Sequence, residues 1–133
     1  MRDFGITLFD EWTAMWNGDL ALTDKIMAPE FTLRYAQPGA SQYDDVHDPQ
    51  TFAARITEFH EQRPGVRFVP QGERIVEMDD TRTGFVASPY GATFTGPDGE
   101  QIAVSGTDIL RIADGLITEV WSVSGGRAGR SFY

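Results

Sequence analysis

The chain has 133 residues and carries 20 acidic against 11 basic side chains, a formal net charge of −9. That length supports one domain around one core, read as residues 1–133, and the charge argues against nucleic acid or an anionic membrane as the main partner. Cysteine is absent, which removes disulfides, thiolate nucleophiles and cysteine zinc sites and fits a reducing cytoplasm. The opening stretch "MRDFGITLFDEW" places acids where a signal peptide needs an apolar run. No apolar run approaches the ~20 residues of a membrane helix. Nine phenylalanines, four tyrosines and three tryptophans exceed what a core this size needs, so some are expected to line a cavity.

In chain order, Phe4, Leu8, Trp12, Met15 and Trp16 form one stripe at helical spacing. "NGD" breaks that helix, Asp19 reads as the N-cap of a second helix over 20–28, and Pro29 reads as its end. "FTLRYA" reads as a strand with Phe31, Leu33 and Tyr35 on one face. "YDDVHDP" reads as an acidic flap, and its acids with His47 are not taken as a metal site because Asp48 is needed as a cap. Asp48 and Pro49 then open a third helix with Phe52, Ile56 and Phe59 on its buried stripe.

The remainder reads as strands. "VRFVP" and "ERIVEM" form one segment bent at residues 70–72, "GFVASPYGATFT" a strand interrupted near Pro89, and "IAVSGTDILRI" and "LITEVWSVSG" a hairpin turning at "ADG". The tail "GGRAGRSFY" reads as solvated or docked on a neighbour, with Arg127 and Arg130 a local exception to the acidic balance. Helices early and strands late make an α+β fold. The expected shape is a cone: a strongly bent, mainly antiparallel sheet with the three helices packed on its concave face.

Asp108 stands out. Ile102, Val104, Gly106, Asp108, Leu110 and Ile112 share one strand face, so a carboxyl lies among apolar positions. Either it is a functional acid with a raised pKa, staying protonated to donate to a substrate, or it is structural, bonded to backbone or to a cation such as Arg34. Arg111 points to the other face and is expected to pair with Glu119.

The element order, "MWNGDL…IMAPEFTLR" and "GTDILRIADGLITEVW" resemble the nuclear transport factor 2-like superfamily, in particular its SnoaL-like branch, which includes polyketide cyclases. The resemblance spans essentially the whole chain. It implies a conical small-molecule pocket on a fold that hosts isomerases, dehydratases, cyclases and non-catalytic binders. Ketosteroid isomerases share the fold and use an Asp base with an oxyanion hole of a Tyr and a protonated Asp. Their pattern falls here on Tyr35 at the base, Glu11 at the tyrosine and Asp108 at the oxyanion acid, so two of the three groups differ in chemistry. Polyketide-cyclase relatives carry a histidine and an acid around the last-strand tryptophan, where this chain has Val120 and Ser122. Dehydratase relatives use pocket histidines, and only His47 and His60 are present, neither in a strand.

Together these features lead to an expectation. The chain binds a small, largely apolar, oxygen-bearing molecule and does acid–base chemistry on it without cofactor or metal: isomerisation, cyclisation or dehydration. Asp108 is the acid, assisted by Tyr35 and His60, while Trp16, Phe59, Tyr90 and Trp121 line the pocket. The alternative is a non-catalytic ligand-binding or dimerising module. Apolar residues such as Ile109 on the outer sheet face predict a homodimer.

Overall fold

Helix α1 (Arg2–Trp16) forms where the apolar stripe repeats, and it buries Leu8, Phe9, Trp12, Met15 and Trp16. In this computed structural model, which describes residues 1–133, the helix stops at Asn17. The Asn17 amide donates to the Phe68 carbonyl at 2.9 Å and accepts from the Phe68 N–H at 2.7 Å. Gly18 follows at φ 113°, a backbone conformation that glycine adopts without strain.

Helix α2 (Leu22–Ile26) is a single turn, shorter than expected. Asp19 does not cap it through its side chain; its backbone carbonyl accepts the Leu22 N–H at 3.2 Å. Pro29 does not end it either, because strand β1 (Met27–Tyr35) has already begun. Pro29 sits where β1 slips register against the last strand, between Met27↔Ile117 and Thr32↔Glu119. An irregular stretch of this kind needs no ladder donor from a proline.

Helix α3 (Pro49–Gln62) opens as its punctuation predicts, with Asp48 accepting the Thr51 N–H at 3.0 Å. The segment before it is no loose flap. Ser41–Tyr43 makes a 3-10 turn, and Tyr43 and Val46 are buried anchors in the core. The His47 Nδ1 lies 2.8 Å from the Phe31 carbonyl oxygen.

Strands β2 (Arg67–Pro70) and β3 (Ile75–Met78) lie on the same edge of β4 (Gly84–Thr95), which pairs with β5 (Gln101–Ala113) and through it with β6 (Leu116–Ser124). The sheet order is β1-β6-β5-β4-β2, with β3 also on β4, and only β1–β6 is parallel. Pro89 does not interrupt β4. Its carbonyl accepts the Gln71 N–H at 2.9 Å, so its nitrogen faces the same edge, in the gap between β3 and β2 where no donor is required.

All three helices cover one face of this open sheet, and that face carries residues in rows. Val86, Leu110, Val120 and Leu33 lie side by side across four strands and are buried. Phe9, Trp12, Phe52 and Ile56 close over them from the helices. Each such side chain contributes about 1.5–3 kcal/mol by leaving water.

The outer face is different. Phe85 stacks on Trp121 at 6.4 Å with the Arg111 guanidinium over both rings, and Arg111 pairs with Glu119 at 3.2 Å as expected. Arg34 also pairs with Glu119, so it is no partner for Asp108. The tail is largely exposed yet docked, as expected. It runs on beside β5, where the Ser105 N–H donates to the Arg130 carbonyl and the Phe132 N–H to the Ser105 hydroxyl, both at 2.9 Å.

Candidate functional site

Two residues further along the strands on the helix-covered face, the row changes chemistry. Ser88, Asp108, Ser122 and Tyr35 are register partners across β4, β5, β6 and β1. The first three are buried. The next row is Tyr90, Gly106 and Ser124. A Cβ at position 106 would lie 2.6 Å from the Tyr90 hydroxyl and 2.5 Å from the Val123 carbonyl oxygen. The missing side chain is therefore what lets the Tyr90 phenol lie across β5 toward Ser122 and Ser124.

These rows form the wall of a cavity of about 100 Å³ lined by 24 residues, of which 13 are hydrophobic. Asp108, Tyr35, Tyr90, Trp16 and Phe59 all line it. Trp16 sits at the hub of the aromatic side, with Phe59, Phe52, Phe68, Tyr43 and Tyr35 at 5.4–6.2 Å between ring centroids.

Asp108 is 8% exposed. Its Oδ2 accepts the Trp12 indole N–H at 2.9 Å, while its Oδ1 is buried and has no hydrogen-bond partner. The Ser88 hydroxyl, although adjacent, is spent on the Pro89 carbonyl at 2.8 Å. Burial pushes the Asp108 carboxyl from its ordinary 3.8 up to about 6, against the opposing pull of the Ser122 hydroxyl and the Trp12 N–H. The raised pKa agrees with the expectation from the sequence, and a carboxyl shifted in this way holds its proton to higher pH than an ordinary aspartate.

The phenols titrate the other way from useful bases. Burial raises Tyr35 well above its ordinary 10, with the nearby Asp108 charge adding to it, and Tyr90 is raised for the same two reasons. Both remain neutral hydroxyls that can orient a ligand oxygen. Tyr43, which also lines the cavity, is pushed up to about 12 by burial.

Two expected site residues lie elsewhere. His60 is not on the cavity wall: its Nε2 lies 2.6 Å from the Trp16 carbonyl oxygen. A carbonyl only accepts, so Nε2 donates and His60 holds the end of α1. Trp121 is on the outer face with Phe85. Glu11, at the position of the isomerase tyrosine, is paired with Lys25 on the protein surface.

Sequence spacing marks Trp12 only as a core residue, whereas the fold makes it the partner of Asp108. The available signal is chemical: a buried indole N–H needs an acceptor, and Asp108 is the acidic acceptor on the facing strand. Tyr43 and Arg63 also line the cavity and carry no spacing signal at all.

Residues 8–120 match the family model of the SnoaL-like domain. Among solved structures, a candidate polyketide cyclase from Acidithiobacillus ferrooxidans superposes with a TM-score of 0.75 at 19% identity, covering 92% of this chain and 89% of that one. IdmH, a candidate polyketide cyclase from Streptomyces antibioticus, superposes with a TM-score of 0.73 at 17% identity, covering 90% and 91%. A candidate isomerase of the SnoaL-like family from Agrobacterium tumefaciens gives 0.66 at 23% identity, covering 93% and 99%. At these identities the likeness establishes the fold. No functionally curated protein matches the sequence significantly.

Proposed function

The chain belongs to the SnoaL-like domain family, and on that premise we propose that it binds a small, largely apolar, oxygen-bearing molecule and moves a proton on it without a cofactor. The observation that carries this reading is Asp108: a buried carboxyl on the cavity wall with one oxygen fixed by Trp12 and the other unpartnered. Serine or valine would cost less to bury at this position. A carboxylate with a pKa near 6 can take a proton from carbon or oxygen of a bound molecule and return it to a neighbouring atom. Tyr35 and Tyr90, held neutral, hydrogen-bond the oxygen on which charge develops. Isomerisation consists of such transfers; cyclisation adds formation of a ring bond by the resulting carbanion or oxyanion, and dehydration adds cleavage of a C–O bond with departure of water. Trp16 and Phe59 supply the apolar contact, and His60 acts only by positioning Trp16.

A specific observation also favours the non-catalytic alternative. Among the cavity residues Asp108 is the one carboxylate and there is no histidine, so a reaction needing separate acid and base would lack its second group. An unbiased ligand search by native mass spectrometry, followed by turnover of each hit with wild type and Asp108→Asn, separates the readings. Turnover lost in the variant with binding kept supports proton transfer. Binding without turnover in the wild type supports the carrier.

The outer face supports a homodimer. Ile109 and Val123 are 41% and 49% exposed there, beside Trp121 and Phe85. A second copy of the same face would cover them. Sedimentation should give twice the 14.8 kDa chain mass, and Ile109→Glu should return it to the monomer.

A further inference from the structure

The cavity mouth carries two arginines that the chemistry above does not use. Arg63 follows α3, and Arg127 lies in the 3-10 turn Gly126–Ala128 of the tail; both line the cavity. The Arg127 Nη2 donates to the Gln62 carbonyl at 3.0 Å, which brings its guanidinium beside Arg63. Each lies over an aromatic ring of the same cavity, Arg63 over Phe59 at 4.1 Å and Arg127 over Phe94 at 5.6 Å.

They are the two basic residues on the cavity wall, and neither is matched by an acid. Acidic residues outnumber basic ones 20 to 11 in this chain. Five of the eleven basic side chains have carboxylate partners and six do not, and of those six only Arg63 and Arg127 line the cavity. Burial and the neighbouring Arg127 charge both disfavour the cation at Arg63. Capping α3 accounts for one of the five donors of Arg127. It accounts for none of those of Arg63, which makes no side-chain hydrogen bond. Beside them Gly126 packs on Pro38, and the adjoining Gln37 has a buried side-chain oxygen without a partner. Two uncompensated guanidinium forks at the polar end of an apolar cavity are matched to an oxyanion, which each fork can bind through paired N–H groups.

We propose that the molecule bound in this cavity is amphipathic, with an apolar body against the aromatic wall and a terminal oxyanion, carboxylate or phosphate, held at the mouth by Arg63 and Arg127. This assignment rests on the small-molecule reading above. Since the net charge of −9 repels anions at long range, the preference must be local to this pair.

The test is calorimetric binding of three probes with one apolar body: 2-naphthoate, 2-naphthyl phosphate and 2-naphthalenemethanol. The wild type should bind at least one anion about tenfold or more tightly than the alcohol, with the advantage shrinking as salt rises. Arg63→Gln/Arg127→Gln should erase that advantage and leave alcohol affinity unchanged, which also shows that the variant is folded. Arg63→Lys/Arg127→Lys should keep part of it. Alcohol bound as tightly as both anions, or an anion advantage that survives the glutamine pair, overturns the oxyanion assignment and leaves the small-molecule reading standing. No binding of any probe overturns both.

Discussion

The Trp12 indole on α1 and the Asp108 carboxyl on β5, 96 residues apart in sequence, meet in a buried hydrogen bond of 2.9 Å. The bond ties the helix layer to the sheet at the point where the core gives way to the cavity. It also sets the chemistry of the site, because it fixes one carboxyl oxygen and leaves the other unpartnered. Burial favours the neutral form of the acid, while the Ser122 hydroxyl and the indole N–H favour its charged form. Burial wins, with the pKa at about 6.

That balance makes Asp108 a liability for stability at neutral pH. A group whose folded pKa is raised binds its proton more tightly in the folded state, so stability falls as pH climbs from the unfolded value to the folded one. For Asp108 the window runs from 3.8 to about 6, and at about 1.4 kcal/mol per pH unit the loss is about 3 kcal/mol. Asp108→Asn keeps the acceptor for Trp12 and removes the charge. The variant should melt higher than wild type at pH 8, with the gap closing toward pH 4. Thermal unfolding across that range measures it, and parallel curves for the two proteins would contradict it.

Trp12→Phe keeps an aromatic ring and deletes the donor. The Trp12 bond lowers the Asp108 pKa, so its loss should move the titration further up. The stability cost should be about 1–3 kcal/mol at pH 8, where a buried carboxylate loses its bond, and smaller at pH 4. Urea unfolding at the two pH values checks this; an equal cost at both would show that packing alone is lost.

Gly106 offers a geometric test. Its absent side chain leaves room for the Tyr90 phenol, and Gly106→Ala should cost about 1–3 kcal/mol through overpacking. Pairing it with Tyr90→Ala should recover only part of that cost, because the new Cβ still meets the Val123 carbonyl oxygen at 2.5 Å. Full recovery in the double variant would show that the phenol was the whole obstacle.

Much of the fold is legible in the sequence because local chemistry and tertiary need agree. Asp48 and Pro49 start α3 as written, and Asp114–Gly115 turn the last hairpin with both residues at positive φ. The misreadings have physical reasons. Pro29 and Pro89 look like breakers, yet each occupies a place in the sheet where no N–H is required. Trp121 is a matter of register. A two-residue turn at 114–115 carried straight up the hairpin pairs Asp108 with Trp121 and brings the indole to the cavity. A bulge at Arg111/Ile112 leaves Thr118 unpaired and shifts the register by one, so Ser122 faces Asp108 and Trp121 turns outward. Spacing gives no sign of that single extra residue. Asp108 itself was visible as a carboxyl on an apolar face, whereas its partner depended on how α1 crosses the sheet.

The central claim, that Asp108 is a proton-transfer group tuned by burial, is tested most directly by following its side-chain carboxyl carbon in NMR as a function of pH, assigned by comparison with Asp108→Asn. The account predicts a midpoint near 6. A midpoint at the ordinary carboxylate value of about 4 would contradict it.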